Sequence, residues 1–273
     1  MFQPPSNRSM LHSAFSTVEL IFFATVRNVR KTHGNALMGL LLSIFQTVIL
    51  VAVFYVMFAV LGLRGSALRG DFLLYIMSGI FLFLTHNKAV TAILSSEGPA
   101  SPMMHHGPMN TPIVIASAAL ATLYIQTLSL VVVLFVYHVG FQRIEIDRPA
   151  AAYGMFLLAW FSGLSIGLVL LAMKPWAPNA VNIIAQIYTR ANMIASGKMF
   201  VANNVPTAIL AFFDWNPLFH CIDQARGFVF INYNPHYSSV LYPVIVSLSL
   251  IVIGMMGEFY TRRHASISWG AGK

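Results

Sequence analysis

The chain has 273 residues, of which 58% are hydrophobic and only 9% are charged, and its formal net charge is +8. A soluble domain carries about 25% charged residues, so this composition excludes a water-facing globular surface and predicts that apolar side chains face lipid. Most basic residues flank apolar stretches, which indicates membrane topology rather than nucleic-acid binding. The single cysteine, Cys221, excludes an internal disulfide, and no Cys/His cluster has zinc spacing.

Residues 1–34 are predicted to form a cytoplasmic N-terminal segment that contains an interfacial helix. Apolar residues recur there at spacings of three and four, which is one face of a helix, and basic residues follow. A helix of this kind lies in the headgroup plane. The alternative is that the segment is the start of a long first span. The apolar face consists of Leu11, Phe15, Val18, Phe22, Val26 and Val29.

Six apolar stretches follow, each long enough to cross the roughly 30 Å hydrocarbon core as a helix of about 20 residues. Unpaired backbone groups are costly in lipid, and alternating short strands are absent from the sequence. The predicted fold class is therefore an all-α integral membrane protein with six transmembrane helices. We place the spans at residues 35–63, 71–94, 111–139, 150–173, 181–201 and 240–260.

The basic residues predict the orientation. Arg27, Arg30 and Lys31 precede the first span, which places the N-terminus in the cytoplasm under the positive-inside rule. Six crossings then return residues 261–273 to the cytoplasm as a tail. Between the spans, the proline-bearing connection 95–112 lies on the predicted cytoplasmic side. Residues 203–239, on the outer side, are too apolar for a free loop and too interrupted to span, so we predict re-entrant helices.

The sequence carries none of the motifs of soluble catalysis. It lacks a GxxxxGK[ST] phosphate-binding loop, a GxSxG elbow and an HExxH pair, so we expect no ATP hydrolysis by this chain. Ion-coupled carriers place carboxylates within spans, whereas Asp71 and Glu258 touch a predicted span only at its ends. Transport would therefore take its energy from another subunit.

The order of these elements resembles the type-2 ABC exporter permeases (ABC-2 permeases), in particular the inner-membrane permeases that export capsular polysaccharide and O-antigen. The resemblance in layout covers nearly the whole chain, and its motif covers about 35 residues. A span ends in Ser-Gly, and an Asn-Pro-Leu-x-His turn then opens a helix. The residues that carry it are Ser196, Gly197, Phe200, Pro206, Asn216, Pro217, Leu218, His220, Asp223 and Arg226.

The resemblance implies a homodimer around a central conduit in the bacterial inner membrane, with two copies of a cytoplasmic ABC ATPase docked on it. ATP and Mg would be bound by that ATPase, and no cofactor by this chain. The substrate would be a lipid-linked polysaccharide, with periplasmic and outer-membrane export components as further partners. The connection 95–112 would couple the ATPase through Glu97, Met103, Met104, His105 and His106.

Aromatic rings hold sugars loosely because sugar CH faces stack on them without fixed hydrogen bonds. Arg190 and Lys198 are eight residues apart in the fifth predicted span and close to one helical face. They predict a water-lined path that faces an anionic sugar or a lipid phosphate; the alternative is a salt bridge to the partner protomer. The predicted path and outer gate comprise Tyr75, Phe81, Tyr188, Arg190, Lys198, Phe200, Phe212, Phe213, Trp215, His220 and Arg226, with Asp223 and Arg226 expected to form a local ion pair.

We therefore predict the permease subunit of an ATP-driven exporter, with capsular polysaccharide preferred as the substrate. O-antigen, teichoic acid, a drug or a small lipid are the alternative substrates within the same fold. A membrane-embedded transferase is the competing class. It would need a histidine at membrane depth facing a cavity, for which His86 and His138 are the candidates.

The predicted topology is tested by cysteine labelling in a chain whose Cys221 is replaced by Ser. Ser66→Cys lies after the first predicted span and should react with an impermeant thiol reagent added outside the cell. Ser268→Cys lies in the predicted cytoplasmic tail and should react only after the membrane is opened. Labelling of both positions in intact cells would contradict six crossings with both ends inside.

Overall fold

A computed structural model describes residues 10–31, 36–62, 71–96 and 111–264. All regular secondary structure within these ranges is helical, which confirms the predicted all-α class. A 3₁₀ turn covers Ala202–Asn204. The helices are α1 Met10–Lys31, α2 Ala36–Val60, α3 Phe72–Leu94, α4 Thr111–Gly140, α5 Pro149–Met173, α6 Pro178–Ala195, α7 Thr207–Leu210, α8 Pro217–Val229 and α9 Leu241–His264.

Within the described ranges, five helices are long and apolar enough to cross a membrane: α2, α3, α4, α5 and α9. A sixth helix, α6, occupies most of the fifth predicted span, 181–201, but it begins earlier and ends six residues sooner. It has 18 residues and carries Asn182, Gln186, Arg190 and Asn192, so its composition is more polar than that of the other five. Its crossing of the membrane stays a prediction.

The N-terminal helix α1 packs against α4 and, less extensively, against α2. Asn28 Nδ2 donates to Ser117 Oγ at 3.0 Å, and Val29 is buried. Phe15 and Phe22 of the predicted apolar face remain exposed. The helix therefore turns a partly polar side to the bundle and leaves large apolar side chains for lipid, as an interfacial helix requires.

Helix α3 lies at the centre of the bundle and packs against α2, α4, α5, α6 and α8. Its buried residues include Thr85, His86 and Asn87. Polar groups at membrane depth are tolerated where they face protein, and the central position of α3 provides those surroundings. Helices α2 and α9 lie at the periphery, and most of their side chains are exposed.

Helices α3 and α5 are in close contact along two glycines of α5. A Cβ built on Gly163 would lie 2.3 Å from the carbonyl oxygen of His86, and one built on Gly167 would lie 2.9 Å from Ile93 Cβ. Small residues allow the backbones of membrane helices to approach in this way. The start of α5 is also joined to the end of α8, because Arg148 N–H donates to Phe228 O at 2.8 Å.

Gly163→Val should destabilise the protein because the new side chain would overlap the backbone of α3. Overpacking of this kind costs about 1–3 kcal/mol, which thermal unfolding of the detergent-solubilised chain would detect. Gly154→Val, on the same helix but with no atom within 4 Å of its Cβ, is the matched control. Equal melting temperatures for the two variants would contradict the close approach of α3 and α5.

Candidate functional site

The end of α6 is set by the Ser196-Gly197 pair. Gly197 has a φ of +71°, the left-handed conformation in which glycine commonly ends a helix. A Cβ at this position would also lie 2.6 Å from the Phe219 ring. The chain therefore leaves the helix here and enters residues 196–239, called the outer segment because the sequence predicts this side for most of it.

Asn216 begins α8 and ties it to the end of α6. Its Oδ1 accepts the Leu218 N–H at 3.0 Å, an N-cap bond, and Pro217 fits the first turn because it needs no N–H partner. Its Nδ2 donates to Asn192 Oδ1 at 2.8 Å and to Ala195 O at 3.0 Å. The Asn-Pro-Leu motif therefore both starts one helix and holds the end of another.

Arg226, on α8, holds the turn that follows α6. Its Nη1 donates to the carbonyls of Gly197 at 3.0 Å and Phe200 at 2.6 Å, and its Nη2 donates to Lys198 O at 2.7 Å. The guanidinium carbon lies 4.3 Å from the centroid of the Tyr75 ring on α3. A planar guanidinium with five donors suits this cluster of acceptors. The side chain is 1% exposed, so Arg226 is a structural clamp rather than a surface charge.

The expected ion pair between Asp223 and Arg226 is wrong. Asp223 accepts instead from the Tyr233 hydroxyl and from Ser238 Oγ, the latter at 2.7 Å. Burial, reinforced by the Asp223 carboxylate, raises the pKa of Tyr233 far above its usual range, so the hydroxyl keeps the proton that it donates. Asp223 therefore holds the loop that follows α8.

His220, on α8, links the turn before α8 to the residues just before α9. Its Nε2 donates to Asp214 O at 2.6 Å, and its Nδ1 accepts the Ser239 N–H at 3.0 Å. These two bonds require the neutral ring protonated on Nε2, and burial lowers the pKa of His220 accordingly. The ring also lies 4.5 Å from that of Tyr242 on α9.

Lys198 does not share a helical face with Arg190, because Gly197 ends α6 between them. Lys198 is 3% exposed, and its Nζ lies 3.3 Å from the centroid of Phe83 and 5.2 Å from that of Phe54. Nζ has no hydrogen-bond partner among the described residues. The amino group therefore lies over aromatic rings in the interior of the chain.

Arg190 lies in a different place, at a pocket of about 490 Å³ between the last turns of α3 and the middle of α6. A second cation, Lys174, borders the pocket and donates from Nζ to Leu94 O at 2.9 Å. None of the lining residues is acidic. The polar side chains that accompany the two cations are Thr91, Ser95, Asn182, Gln186 and Thr189.

Tyr188, on the same helix, contacts α3. Its hydroxyl lies 2.8 Å from His86 Nε2, while His86 Nδ1 lies 2.9 Å from Ser162 Oγ and 3.1 Å from Ala159 O on α5. His86 is completely buried. His138, the other candidate for a catalytic histidine, accepts the Ile144 N–H at 3.0 Å. Both histidines serve the fold.

Two aromatic residues of the turn between α7 and α8 are exposed. Phe212 is 71% exposed and Trp215 is 59% exposed, and Trp215 Nε1 donates to Phe212 O at 2.6 Å. Phe213 is half-buried, with its ring 5.0 Å from that of Phe200. The first pair forms an exposed aromatic surface, whereas the second pair packs against Leu210 and Phe219.

The predicted path residues therefore separate into three groups. Arg190, Phe212 and Trp215 are exposed, and Tyr188, Phe200 and Phe213 are half-buried. The predicted coupling residues Glu97, Met103, Met104, His105 and His106 lie outside the described ranges. Five others are buried within the chain, and their place on the path stays a prediction: Tyr75, Phe81, Lys198, His220 and Arg226.

Residues 19–230 match the family described as ABC-2 type transporter. The chain belongs to this family. Two relatives from Escherichia coli, each described as Polysialic acid transport protein KpsM, are similar to it. Each is 24% identical, over 263 and 260 residues, and each alignment covers 92% of this chain and 95% of the relative. The resemblance inferred from the Ser-Gly and Asn-Pro-Leu-x-His segments is confirmed.

Arg226→Gln should loosen the outer segment of this ABC-2 chain because up to three buried carbonyls lose a charged donor. Each unsatisfied group costs about 1–3 kcal/mol, so the free energy of unfolding should fall by about 3 kcal/mol or more. The rate of alkylation of Cys221, which is fully buried on α8, should rise with it.

Arg148→Gln is the control for this prediction. Arg148 is 70% exposed and pairs only with Asp147 at 3.5 Å, and exposed pairs contribute about 1 kcal/mol or less. If Cys221 remained as unreactive in Arg226→Gln as in Arg148→Gln, Arg226 would not be the clamp.

Proposed function

We propose that the chain is the membrane-spanning subunit of an ATP-driven exporter that moves a lipid-linked polysaccharide, with capsular polysaccharide preferred, across the bacterial inner membrane. Two copies would form the conduit, and two copies of a separate ABC ATPase would drive it. The similarity to two polysialic acid transport proteins over nearly the full length supports a polysaccharide substrate. The observation that carries the proposal is the cationic pocket between α3 and α6.

The pocket suits an anionic substrate for electrostatic reasons. Arg190 and Lys174 supply positive charge with no carboxylate among the lining residues to cancel it. The surrounding amides and hydroxyls offer further donors without fixing one geometry, as a site for a repetitive, sliding polymer or its phosphate-linked lipid needs. A lipophilic drug would gain little from such a lining, because its binding depends on apolar contact.

The exposed pair Phe212 and Trp215 would serve the other end of the route. Sugar rings can stack on these side chains at the outer mouth and leave without breaking directional bonds. The rings lie in the turn 211–215 between α7 and α8, which His220 holds through the Asp214 carbonyl. We therefore assign the closing of the outer mouth to Phe212 and Trp215, with Phe213 and Phe200 as their support.

Coupling to ATP hydrolysis is assigned to the connection that follows α3. Helix α3 ends at Leu94, beside Lys174 and the cationic pocket. A push on the connection 95–112 by the ATPase would therefore reach the pocket through the last turn of α3. Glu97, His105 and His106 are the polar groups proposed to meet the ATPase.

Arg190→Gln should lower export of an acidic polysaccharide because the substrate loses a charged hydrogen-bond donor. Such a contact contributes about 1.5–3 kcal/mol, which corresponds to a loss of roughly tenfold to a hundredfold in the transport rate at low substrate. Polymer at the cell surface, measured in cells that depend on this chain, is the readout. The amount of chain in the membrane is measured in parallel.

Arg190→Lys, which keeps the charge, and Arg143→Gln, which removes an exposed cation from the connection between α4 and α5, are the controls. Both should export near the unmodified rate. Normal export by Arg190→Gln at normal abundance would remove the pocket from the route. Loss of drug efflux in place of polymer export would favour the drug exporter.

A further inference from the structure

A second cavity, of about 920 Å³, lies where the end of α1, the first half of α2, the end of α3 and the first half of α4 meet. We refer to it as the four-helix cavity. It adjoins the cationic pocket along Thr91 and Ser95, but α1, α2 and α4 enclose it in place of α6. None of the predicted path residues lines it.

Among the described residues that line it, the four-helix cavity has two positive charges and no negative one. Arg27 of α1 and Lys88 of α3 both line it, and no acidic side chain is among its lining residues. Lys88 is half-buried and lies six residues before the end of α3, about 9 Å along the helix axis. A charge at that depth is costly unless it meets water or an opposite charge, so an anion is the complementary ligand.

One part of the lining is apolar and follows α2 away from these cations. Leu42, Phe45, Ile49 and Leu50 extend over about 12 Å of α2, and Ile125 of α4 faces them across the cavity. Phe45 is 62% exposed, so the cavity opens toward the lipid-facing side of α2. The shape therefore combines a cationic end with an apolar wall that is accessible from the bilayer.

We propose that the four-helix cavity binds an anionic phospholipid of the adjacent leaflet. The phosphate lies between Arg27 and Lys88, and an acyl chain follows the apolar side chains of α2. Asn28, Gln46 and Gln126 at the same cavity can donate to the headgroup oxygens. The volume is within the range of sites for molecules of lipid or drug size, and the apolar wall distinguishes a lipid from a free phosphate ion.

The position of the site gives the bound lipid a structural consequence. Arg27 is near the end of α1, whereas Ser95 and Ser96 follow the end of α3. A lipid bound between them joins the interfacial helix to the central helix of the bundle. The site is independent of the exported substrate, so it does not depend on the proposed polysaccharide.

The test measures lipid retained by the purified full-length chain in detergent, by native mass spectrometry after addition of phosphatidylglycerol or of phosphatidylcholine with the same acyl chains. We expect one phosphatidylglycerol per chain at concentrations where phosphatidylcholine does not bind. Each basic residue near a membrane surface contributes enough for about a fivefold change in affinity. Arg27→Gln and Lys88→Gln should each weaken retention about fivefold, and the double variant roughly twenty-five-fold.

Arg143→Gln removes an exposed cation elsewhere and should leave retention unchanged, while Lys88→Arg should keep it. Melting temperature establishes that each variant is folded. If Lys88→Gln does not fold, lipid retention is compared between Arg27→Gln and Arg27→Lys, because Arg27 is exposed. Only Arg27→Gln should then lose retention.

Two results would overturn the proposal. Equal retention of phosphatidylglycerol by the double variant and by the unmodified chain would remove the cations from the site. Displacement of the lipid by millimolar inorganic phosphate alone would assign the cavity to free phosphate.

Discussion

The backbone that follows α6 is not helical, so the carbonyls of this turn lack helical partners and need other hydrogen-bond donors. Arg226 supplies them, with three bonds to Gly197, Lys198 and Phe200. Non-helical backbone at membrane depth is tolerated only where protein satisfies it. The position of α8, and with it the outer segment, therefore depends on one guanidinium that is pressed against the Tyr75 ring of α3.

Polar contacts of the same kind attach α6 to its neighbours. Tyr188 reaches His86 on α3, and Asn192 reaches Asn216 at the start of α8. Apolar packing joins α6 to α3 and α5 mainly near its first turns, around Val181 and Ala185. Helix α6 is therefore held by a few directional bonds on one side, while α3 and α5 are held by continuous close packing. This difference leaves α6 free to present Arg190 to a pocket.

The positions of the helices could be predicted from the sequence because hydropathy reports the cost of exposing backbone in lipid. The predicted span 71–94 differs from α3 by one residue at its start, and the predicted span 111–139 differs from α4 by one residue at its end. The acceptors of Arg226 could not be predicted, because they are backbone carbonyls and every residue has one. The prediction that Arg190 and Lys198 share a helical face is wrong, because it requires a continuous helix and α6 ends at Ala195. The left-handed preference of Gly197 was the available signal against it.

The glycine contacts of α5 and the bond between Arg148 and Phe228 have a mechanical consequence. They join α3, α5 and α8 closely, so these three helices would move together rather than separately. Helix α3 has 23 residues and is about 35 Å long. A tilt of α3 would therefore move its packed neighbours α5 and α8 with it along this length.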